Sequence, residues 1–225
     1  LWQARSGREL IADAPCAIVA TGVDAGTMPG LEWLPLQPIR GQTTLLAATD
    51  ALSQLRTALC HDGYITPARA GTHCIGATFD PGDTAPTPRD ADHRLNLERL
   101  GEAVPGWRDE LTALETHSIE GRVGWRCASP DYLPMVGPAP DREAFLEDFA
   151  ALRRNAKTEI PGRGRYLPGL YLNTAHGSRG LTSTPLAAEL LASLVCCEPP
   201  PVCRELSRAL APARFIIRDL SRNRI

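Results

Sequence analysis

Residues 170–181 read LYLNTAHGSRGL, an apolar run that meets a glycine-containing turn. The run up to Thr174 predicts a strand, and the strongly apolar residues that continue to about Val195 predict a helix. Gly177 and Gly180 allow backbone amides to approach a ligand closely, and the free N–H groups at a helix start attract negative charge. The stretch is therefore typical of an anion-binding turn, although a plain strand–helix turn that needs glycine for packing fits the same residues.

A second glycine turn lies near the other end of the chain. Residues 16–20, CAIVA, have the apolar character of a buried strand, and they run directly into Thr21 and Gly22. Both ends of the chain thus carry strand-to-glycine pieces of the kind found in nucleotide-binding domains. The sequence predicts a chain that leaves such a domain, forms an insert and returns.

The insert mixes strands and helices without regular alternation, which favours an α+β domain with a largely antiparallel sheet. Residues 80–89 are rich in Pro, Gly and Thr and are predicted to form an exposed loop. Strands are predicted at residues 39–47, 63–66, 73–79, 114–129 and 134–137, and helices at 90–104 and 141–154.

The composition is that of an ordinary globular protein. Hydrophobic residues make up 43% of the 225 residues and charged residues 22%, and no apolar run approaches the roughly 20 residues that would span a bilayer. The seven cysteines form no C-x-x-C pair and no cluster with metal-ligand spacing. We therefore expect reduced thiols in a cytoplasmic protein, without a metal site or a membrane span.

The positive charges are unevenly distributed. The net charge of −2 gives no global attraction to nucleic acid. Residues 203–225, however, contain six arginines against only Glu205 and Asp219, and four more arginines lie between residues 153 and 165. These two basic segments are the candidates for contact with nucleic-acid phosphates.

Arg126 is the most informative charged residue. Residues 124–137 read GWRCASPDYLPMVG, so this arginine lies within an otherwise apolar strand. A buried guanidinium needs a partner, because an unpaired buried charge is expensive, and it can hold a carboxylate through two parallel hydrogen bonds. A structural Asp or a carbonyl group would serve equally well on the sequence alone. Two weaker segments are PIRGQ at 38–42, and DGYITP at 62–67, in which Tyr64 is a candidate strand aromatic.

Taken in order, these segments resemble the D-amino-acid oxidase and glycine oxidase superfamily of flavoproteins. The likeness is greatest to the FAD-dependent oxidoreductase part of the bifunctional tRNA 5-methylaminomethyl-2-thiouridine biosynthesis proteins, and it extends from about Ala17 to the basic tail. Six collinear blocks carry it: RGQ at 40–42, DGY at 62–64, CIGA at 74–77, RCA at 126–128, LPMVG at 133–137 and GSRGL at 177–181.

The resemblance implies a fold and a division into domains. The expected fold class is α+β, with an antiparallel-sheet substrate-binding domain at residues 36–162. Partial, Rossmann-like segments of an FAD-binding domain are expected at residues 1–35 and 163–225.

The resemblance also implies an activity. It is the FAD-dependent oxidative removal of the carboxymethyl group from 5-carboxymethylaminomethyl-(2-thio)uridine at the tRNA wobble position. The implied partners are tRNA and an N-terminal methyltransferase domain that uses S-adenosylmethionine, and nothing in this chain is similar to that domain. Two alternatives stay open: a glycine- or sarcosine-type small amino acid oxidase, and a tRNA-binding module without catalysis.

The implied site residues fall into two groups. Arg126 would bind the substrate carboxylate, with Arg179 and Tyr64 assisting it as further catalytic residues. The residues implied to contact FAD are Thr21 and Gly22 in the first turn, Arg40 and Gln42 beside the isoalloxazine ring, and Gly177, Ser178, Gly180 and Leu181 along the pyrimidine side of the flavin.

One feature of the family is missing from these 225 residues. The family opens its oxidoreductase domain with G-x-G-x-x-G after the first strand, and no such motif occurs here. The start at Leu1 has no initiator Met and no signal-peptide layout, so we expect a C-terminal fragment. We also expect this polypeptide alone to bind FAD weakly or not at all, and a stoichiometric flavin absorbance spectrum of the purified chain would contradict that expectation.

Overall fold

The computed structural model describes residues 1–114, 116 and 119–225, and its chain divides into two compact units. The first unit contains Leu1–Gln37 and Cys127–Ile225, and the second unit contains Pro38–Arg126. The chain therefore leaves the first unit once and returns to it.

The predicted boundary at residue 162 differs from the boundary of the compact units. Residues 127–162 lie in the first unit rather than with the insert. The reason is strand pairing, because the strand at Met135–Pro140 pairs with the strand at Tyr166–Thr174 over most of its length.

Strands and helices are numbered along the chain. The strands are β1 (Trp2–Ser6), β2 (Glu9–Ala14), β3 (Ala17–Val19), β4 (Gln37–Ala47), β5 (Leu59–Cys60), β6 (Tyr64–Ile65), β7 (Thr72–Gly76), β8 (Asp80–Pro81), β9 (Gly121–Ala128), β10 (Met135–Pro140) and β11 (Tyr166–Thr174). The helices are α1 (Asp90–Ala103), α2 (Arg108–Thr112), α3 (Arg142–Asp148), α4 (Gly180–Cys196), α5 (Arg204–Leu210) and α6 (Arg214–Ser221).

The first unit is built on a three-stranded sheet in the order β10-β11-β3. The central strand β11 pairs antiparallel with β10 and parallel with β3. Helix α4 packs on this sheet, since its Leu190 and Leu191 form a buried cluster with Val136 of β10. The predicted strand before the glycine turn and the predicted helix after it are both confirmed. The hairpin of β1 and β2 was not predicted.

The second unit contains an antiparallel sheet with β4 at its centre. Its order is β5-β6-β7-β4-β8, and β9 also pairs with β4. Helix α1 covers one face, where Leu97 and Leu100 pack against Leu46, Ile65 and Ile75. Burial of this apolar surface, worth about 25 cal/mol per Å², fixes which side of the sheet faces the helix. The predicted antiparallel α+β insert is confirmed.

Strand β4 has two chemically different faces, because successive side chains in a strand point in opposite directions. Leu46 lies in the core beneath α1, and the side chains at 40, 42 and 44 share its parity and are fully buried. Residues 41 and 43 therefore belong to the opposite face. Only Gly41, without a side chain, leaves space there for a neighbour to lie against the strand.

Two local predictions need adjustment. The strand predicted at 114–129 begins at Gly121, and part of the predicted range (residues 115, 117 and 118) lies outside the described residues. The helix predicted at 141–154 is capped by Asp141, whose carboxylate accepts from the N–H of Ala144 at 3.1 Å. It ends at Asp148, and a 3-10 turn, Ala150–Arg153, follows.

Among the described residues, none of the helices combines the length and the apolar character needed to cross a membrane. In the same part of the chain, no group of three or more His, Cys, Asp or Glu side chains is arranged to hold a metal ion.

Candidate functional site

Arg126 lies on β9 in the second unit and is half-buried, and within the described residues most of its hydrogen-bond donors have no partner. Its Nη1 donates to the carbonyl oxygen of Thr78 at 3.0 Å, and its guanidinium carbon lies 5.6 Å from the centre of the Phe79 ring. Within the described residues, no carboxylate approaches it within salt-bridge distance. Burial lowers the pKa of Arg126, yet an arginine remains charged at neutral pH. This cation is therefore available to an external anion.

Tyr64 supplies a second donor in the same unit. Its hydroxyl oxygen lies 4.0 Å from the sulfur of Cys74 on the neighbouring strand β7, which is at best a weak contact. Burial raises the pKa of Tyr64, as does Cys74, whereas the charge of Arg126 acts in the opposite direction. The phenol therefore stays protonated at neutral pH and can donate. Since the charge of Arg126 influences the phenol, the second unit offers a cation and a neutral donor, and such a pair suits a carboxylate ligand.

Arg40 has a different environment, because its side chain is wholly buried on the α1 side of β4. Its guanidinium donates to Asp92 at 2.7 Å and to the carbonyl oxygens of Ala85 at 2.8 Å and Thr87 at 2.9 Å. Its Nη2 also donates to the side-chain oxygen of Gln42 at 3.2 Å. Arg40 thus holds the segment after β8 against the start of α1.

Gln42 completes this network. Its side-chain oxygen accepts from the N–H of Arg89 at 2.8 Å, and its side-chain nitrogen donates to the carbonyl oxygen of the same residue at 2.8 Å. Asn96 of α1 donates to the Gln42 carbonyl at 3.0 Å. Since their polar groups are taken up by protein partners, Arg40 and Gln42 have a supporting role in this structure. A place for them beside a flavin ring stays a prediction.

The two glycine turns of the first unit lie next to each other. Strands β3 and β11 are parallel and in register from Ala17 opposite Leu170, so their carboxyl ends meet at one edge of the sheet. Thr174, at the end of β11, donates from Oγ1 to the carbonyl oxygen of Gly22 at 2.9 Å. Gly22 has a φ of +62°, which favours glycine at this turn. Thr21, just before it, is exposed.

The turn after β11 presents open backbone at the start of α4. Gly177 has a φ of +57°, and a Cβ built there would meet no atom within 4 Å, so its surroundings are open. Ser178 and Arg179 are exposed, and Leu181 in the first turn of the helix is 97% exposed. The first N–H groups of a 17-residue helix that begins at Gly180 have no intrahelical partners. This arrangement fits an anionic ring edge.

His176 anchors the base of this turn. Its Nδ1 lies 2.8 Å from Oγ of Ser183, and its Nε2 lies 2.8 Å from Oδ1 of Asn173. Burial lowers the pKa of His176, so the ring is neutral at pH 7. Both ring nitrogens have protein partners, which gives His176 a structural role.

Three residues of the site were missed by sequence reasoning. The Phe79 ring lies against the Arg126 guanidinium, and Gly41 of the neighbouring strand β4 lies directly against the same group. Thr174 joins the two glycine turns through its hydrogen bond to Gly22. A polar residue that ends an apolar strand was a usable signal for Thr174. The signal for Gly41 was its place in the RGQ segment. Successive residues of a strand point to opposite faces, so Gly41 lies on the face opposite to Arg40 and Gln42.

The first unit has two glycine turns at the edge of parallel strands, and the second unit is an antiparallel insert, so each has the α+β features expected of a nucleotide-cofactor oxidoreductase. Residues 1–194 match the family model described as FAD dependent oxidoreductase, DAO, and the chain belongs to this family.

Two curated relatives with the same name, tRNA 5-methylaminomethyl-2-thiouridine biosynthesis bifunctional protein MnmC, are similar to nearly the whole chain. The protein of Stutzerimonas stutzeri is 45% identical over 98% of this chain and 34% of its own length. That of Pseudomonas aeruginosa strain UCBPP-PA14 is 48% identical over 98% of this chain, again 34% of its length. The chain therefore spans about a third of the length of the relatives it matches.

Solved structures show the same fold at lower identity. Glycine oxidase from Geobacillus kaustophilus superposes with a TM-score of 0.62 at 20% identity, covering 88% of this chain and 45% of that one. Iminodiacetate oxidase from Chelativorans sp. BNC1 gives 0.57 at 24% identity, covering 89% of this chain and 47% of that one. At these identities the likeness establishes the fold alone.

Proposed function

We propose that this chain belongs to a cytoplasmic FAD-dependent amine oxidoreductase that removes the carboxymethyl group from 5-carboxymethylaminomethyl-(2-thio)uridine at the tRNA wobble position. The family membership and the name shared by relatives at 45% and 48% identity support this substrate. Because those relatives are bifunctional and about three times as long, we also propose a methyltransferase domain, which uses S-adenosylmethionine, as the partner in the whole protein.

The substrate carries the chemistry that this site would recognise. Its side chain ends in –NH–CH₂–COO⁻, an N-substituted glycine. FAD, when bound, supplies the oxidant that takes a hydride from the CH₂ group, and water then splits the C=N bond into an aminomethyl-uridine and glyoxylate. The protein must therefore hold the CH₂ group in place.

Arg126 is the observation that carries the proposal. Its free N–H groups can hold the carboxylate in a fixed orientation, which fixes the adjacent CH₂ group, and the Tyr64 hydroxyl can donate to the same carboxylate. No general base is required, since a neutral amine can release hydride unaided. Arg179 is exposed in the first unit, and its predicted assistance to Arg126 remains part of the proposal.

The cofactor would be held in the first unit. The exposed amides at Gly177–Leu181 and the turn at Thr21 and Gly22 meet at the carboxyl edge of β3 and β11, which fits the pyrimidine side of a flavin. Gly22 and Gly177 have positive φ values, which favour glycine, and because glycine has no side chain, nothing at these two positions would hold a ring away from this edge.

The decisive experiment compares Arg126→Ala with Arg126→Lys in the full-length protein. We expect Arg126→Ala to raise KM by about 10- to 150-fold, the equivalent of about 1.5–3 kcal/mol for a hydrogen bond to a charged group, with a smaller loss in the lysine variant. Nucleosides from digested tRNA, separated by liquid chromatography and identified by mass spectrometry, report turnover.

Three measurements on the same full-length protein distinguish the two alternatives: turnover of modified tRNA, oxidation of free glycine or sarcosine, and binding of tRNA. Oxidation of free glycine or sarcosine in preference to modified tRNA would identify a small amino acid oxidase, which needs the same carboxylate anchor. Binding of tRNA with no turnover by the wild-type protein would identify a tRNA-binding module and contradict the proposal.

A further inference from the structure

We propose that Gly41 is a positioning residue for the reaction, because it forms the seat on which the Arg126 guanidinium lies. This inference rests on the proposed function, since it concerns the same carboxylate anchor. Gly41 itself contacts neither substrate nor cofactor in this scheme; it acts through Arg126.

The guanidinium lies directly against the Cα of Gly41. A Cβ built on Gly41 would overlap Nη1 of Arg126 and would lie 2.8 Å from Cζ and 2.9 Å from Nη2. These separations are far inside the roughly 4.0–4.5 Å at which heavy atoms make ordinary contact. Any side chain at position 41 therefore displaces the guanidinium or the strand.

The strand is the less movable of the two. Gln42 donates its N–H to Oγ1 of Thr78 at 3.0 Å, and the N–H of Thr78 donates to the Gln42 carbonyl at 3.2 Å. The flanking side chains of Arg40 and Gln42 are fixed on the opposite face by the network with α1. A methyl group at position 41 would therefore move the flexible arginine and leave β4 in place.

Displacement would remove both contacts that orient Arg126. The Thr78 carbonyl accepts from Nη1, and the Phe79 ring lies on one side of the guanidinium. Thr78 also binds the backbone of Gln42, so one residue ties the arginine to the strand beneath it. Without the seat, the charge remains but its orientation is lost, and two parallel hydrogen bonds to a carboxylate require that orientation.

The test measures protection of Arg126 against phenylglyoxal, a reagent that modifies guanidinium groups. The full-length protein is labelled with and without glycolate, a small carboxylate that has no amine to oxidise, and labelling at each arginine is read by peptide mass spectrometry. Gly41→Ala is compared with Gly124→Ala, a matched control on the same strand as Arg126, where a Cβ would meet nothing within 4 Å.

We expect glycolate to slow labelling of Arg126 severalfold in the wild type and in Gly124→Ala, and to have no effect in Gly41→Ala. Protection that persists in Gly41→Ala would overturn the seat while leaving the proposed function intact. Absence of protection in the wild type would overturn the carboxylate site, and with it the proposed function. Unchanged labelling of the other arginines shows that Gly41→Ala is folded.

A kinetic cycle gives an independent readout. Gly41→Ala should raise KM for the modified tRNA by about 10- to 100-fold, as expected for loss of a charged hydrogen bond, with a smaller change in kcat. In an Arg126→Lys background, the same change should add little, because the slimmer side chain does not use the seat. An equal rise in KM in both backgrounds would mean that Gly41 acts elsewhere, and would overturn the inference.

Discussion

Arg40 and Arg126 belong to the same unit and to strands that pair with each other, but their surroundings give them opposite roles. Arg40 is wholly buried, and Asp92 and two backbone carbonyls occupy its donors. Arg126 is half-buried and donates to one carbonyl among the described residues. A guanidinium whose donors are satisfied stabilises the fold, whereas one with spare donors can bind a ligand.

Replacing Arg40 by Met should therefore destabilise the protein far more than replacing Arg126. Removal of one partner from a buried ion pair leaves Asp92 without its cation, and the expected loss is about 3–5 kcal/mol in the free energy of unfolding. Urea denaturation followed by circular dichroism measures it. Arg126→Met is the matched control and should cost less than about 1 kcal/mol. Equal losses in the two variants would contradict this division of roles.

The sequence identified both arginines, but it could not separate their roles. The resemblance rests on RGQ as one block and implies that Arg40 and Gln42 lie beside the flavin, which stays a prediction. A strand divides such a block between two faces, so Gly41 faces one side while its neighbours face the other. The difference in burial and in hydrogen-bond partners depends on tertiary contacts with α1 and residues 80–92, which no local pattern reveals.

The turn between β9 and β10 and the first residue of α6 form a clamp in the first unit. Asp131 accepts from Nε of Arg214 at 3.0 Å and from its Nη2 at 2.9 Å, and Ser129 donates to the same carboxylate at 2.8 Å. Arg214 also donates to the Leu133 carbonyl at 2.8 Å. One arginine of the basic tail is thus committed to holding a turn.

This clamp should make stability depend on pH at the acid end. Burial by itself would raise the pKa of Asp131, but the hydrogen bonds from Arg214 and Ser129 lower it from 3.8 to about 2. A depressed carboxyl pKa stabilises the folded state above the unfolded-state value, and the contribution is lost as the pH falls from about 4 to about 2. Because Asp131 is partly exposed and solvent screens its charge, we expect the contribution at neutral pH to be about 1–2 kcal/mol.

Asp131→Asn is the variant that tests the clamp. At pH 7 it should lower the free energy of unfolding by about 1–2 kcal/mol, and the difference from the wild type should shrink as the pH approaches about 2. Urea titrations at several pH values measure both. Arg142→Gln, which breaks an ion pair to the exposed Glu143, is a control that should change stability little. A difference that stays constant over the whole acid range would exclude Asp131 as the titrating group.

At the level of elements, apolar periodicity predicted the helices and strands that contribute side chains to the core. It missed the strands that are held mainly by hydrogen bonds to a neighbouring strand. The helices α1 and α4 and the strands β4 and β11 contribute apolar residues to the buried clusters, and each was predicted over most of its observed range. The hairpin of β1 and β2 is mostly exposed, so no hydrophobic pattern marks it. The tight join between the two glycine turns required the parallel register of β3 and β11, which is a long-range pairing.

At the scale of the whole chain, the sequence predicted that the chain leaves one unit, forms an insert and returns. It did not predict the position at which the chain returns to the first unit. The return to the first unit falls between Arg126 and Cys127, inside β9. The strand continues through this boundary without a linker, so no change from strand to loop marks it in the sequence. The predicted boundary at residue 162 lies instead within the polar stretch at 155–165, which is a surface connection inside the first unit.

The basic residues of the first unit separate into two groups, and this separation sharpens the proposed contact with tRNA. Arg165 pairs with Glu147 and Asp148 at 2.9 Å, and Arg214 is held by the clamp. Arg204, Arg208 and Arg222 are exposed, and within the described residues no carboxylate lies within 4.0 Å of their guanidinium groups. Those three have charge available for phosphates.

Reversal of the available charges should weaken tRNA binding in a salt-dependent manner. For the triple change Arg204→Glu, Arg208→Glu and Arg222→Glu, we expect a higher Kd at low salt. The dependence of log Kd on log salt should also become shallower, by about 1 for each phosphate that the protein no longer neutralises. Fluorescence anisotropy with labelled tRNA over a series of salt concentrations measures both.

Arg165→Gln is the matched control for this charge reversal. It also removes a cation, but one already neutralised by two carboxylates, so its salt dependence should match that of the wild type. If the triple variant keeps the wild-type slope, these arginines do not contact the phosphates, and their proposed role in tRNA binding is wrong.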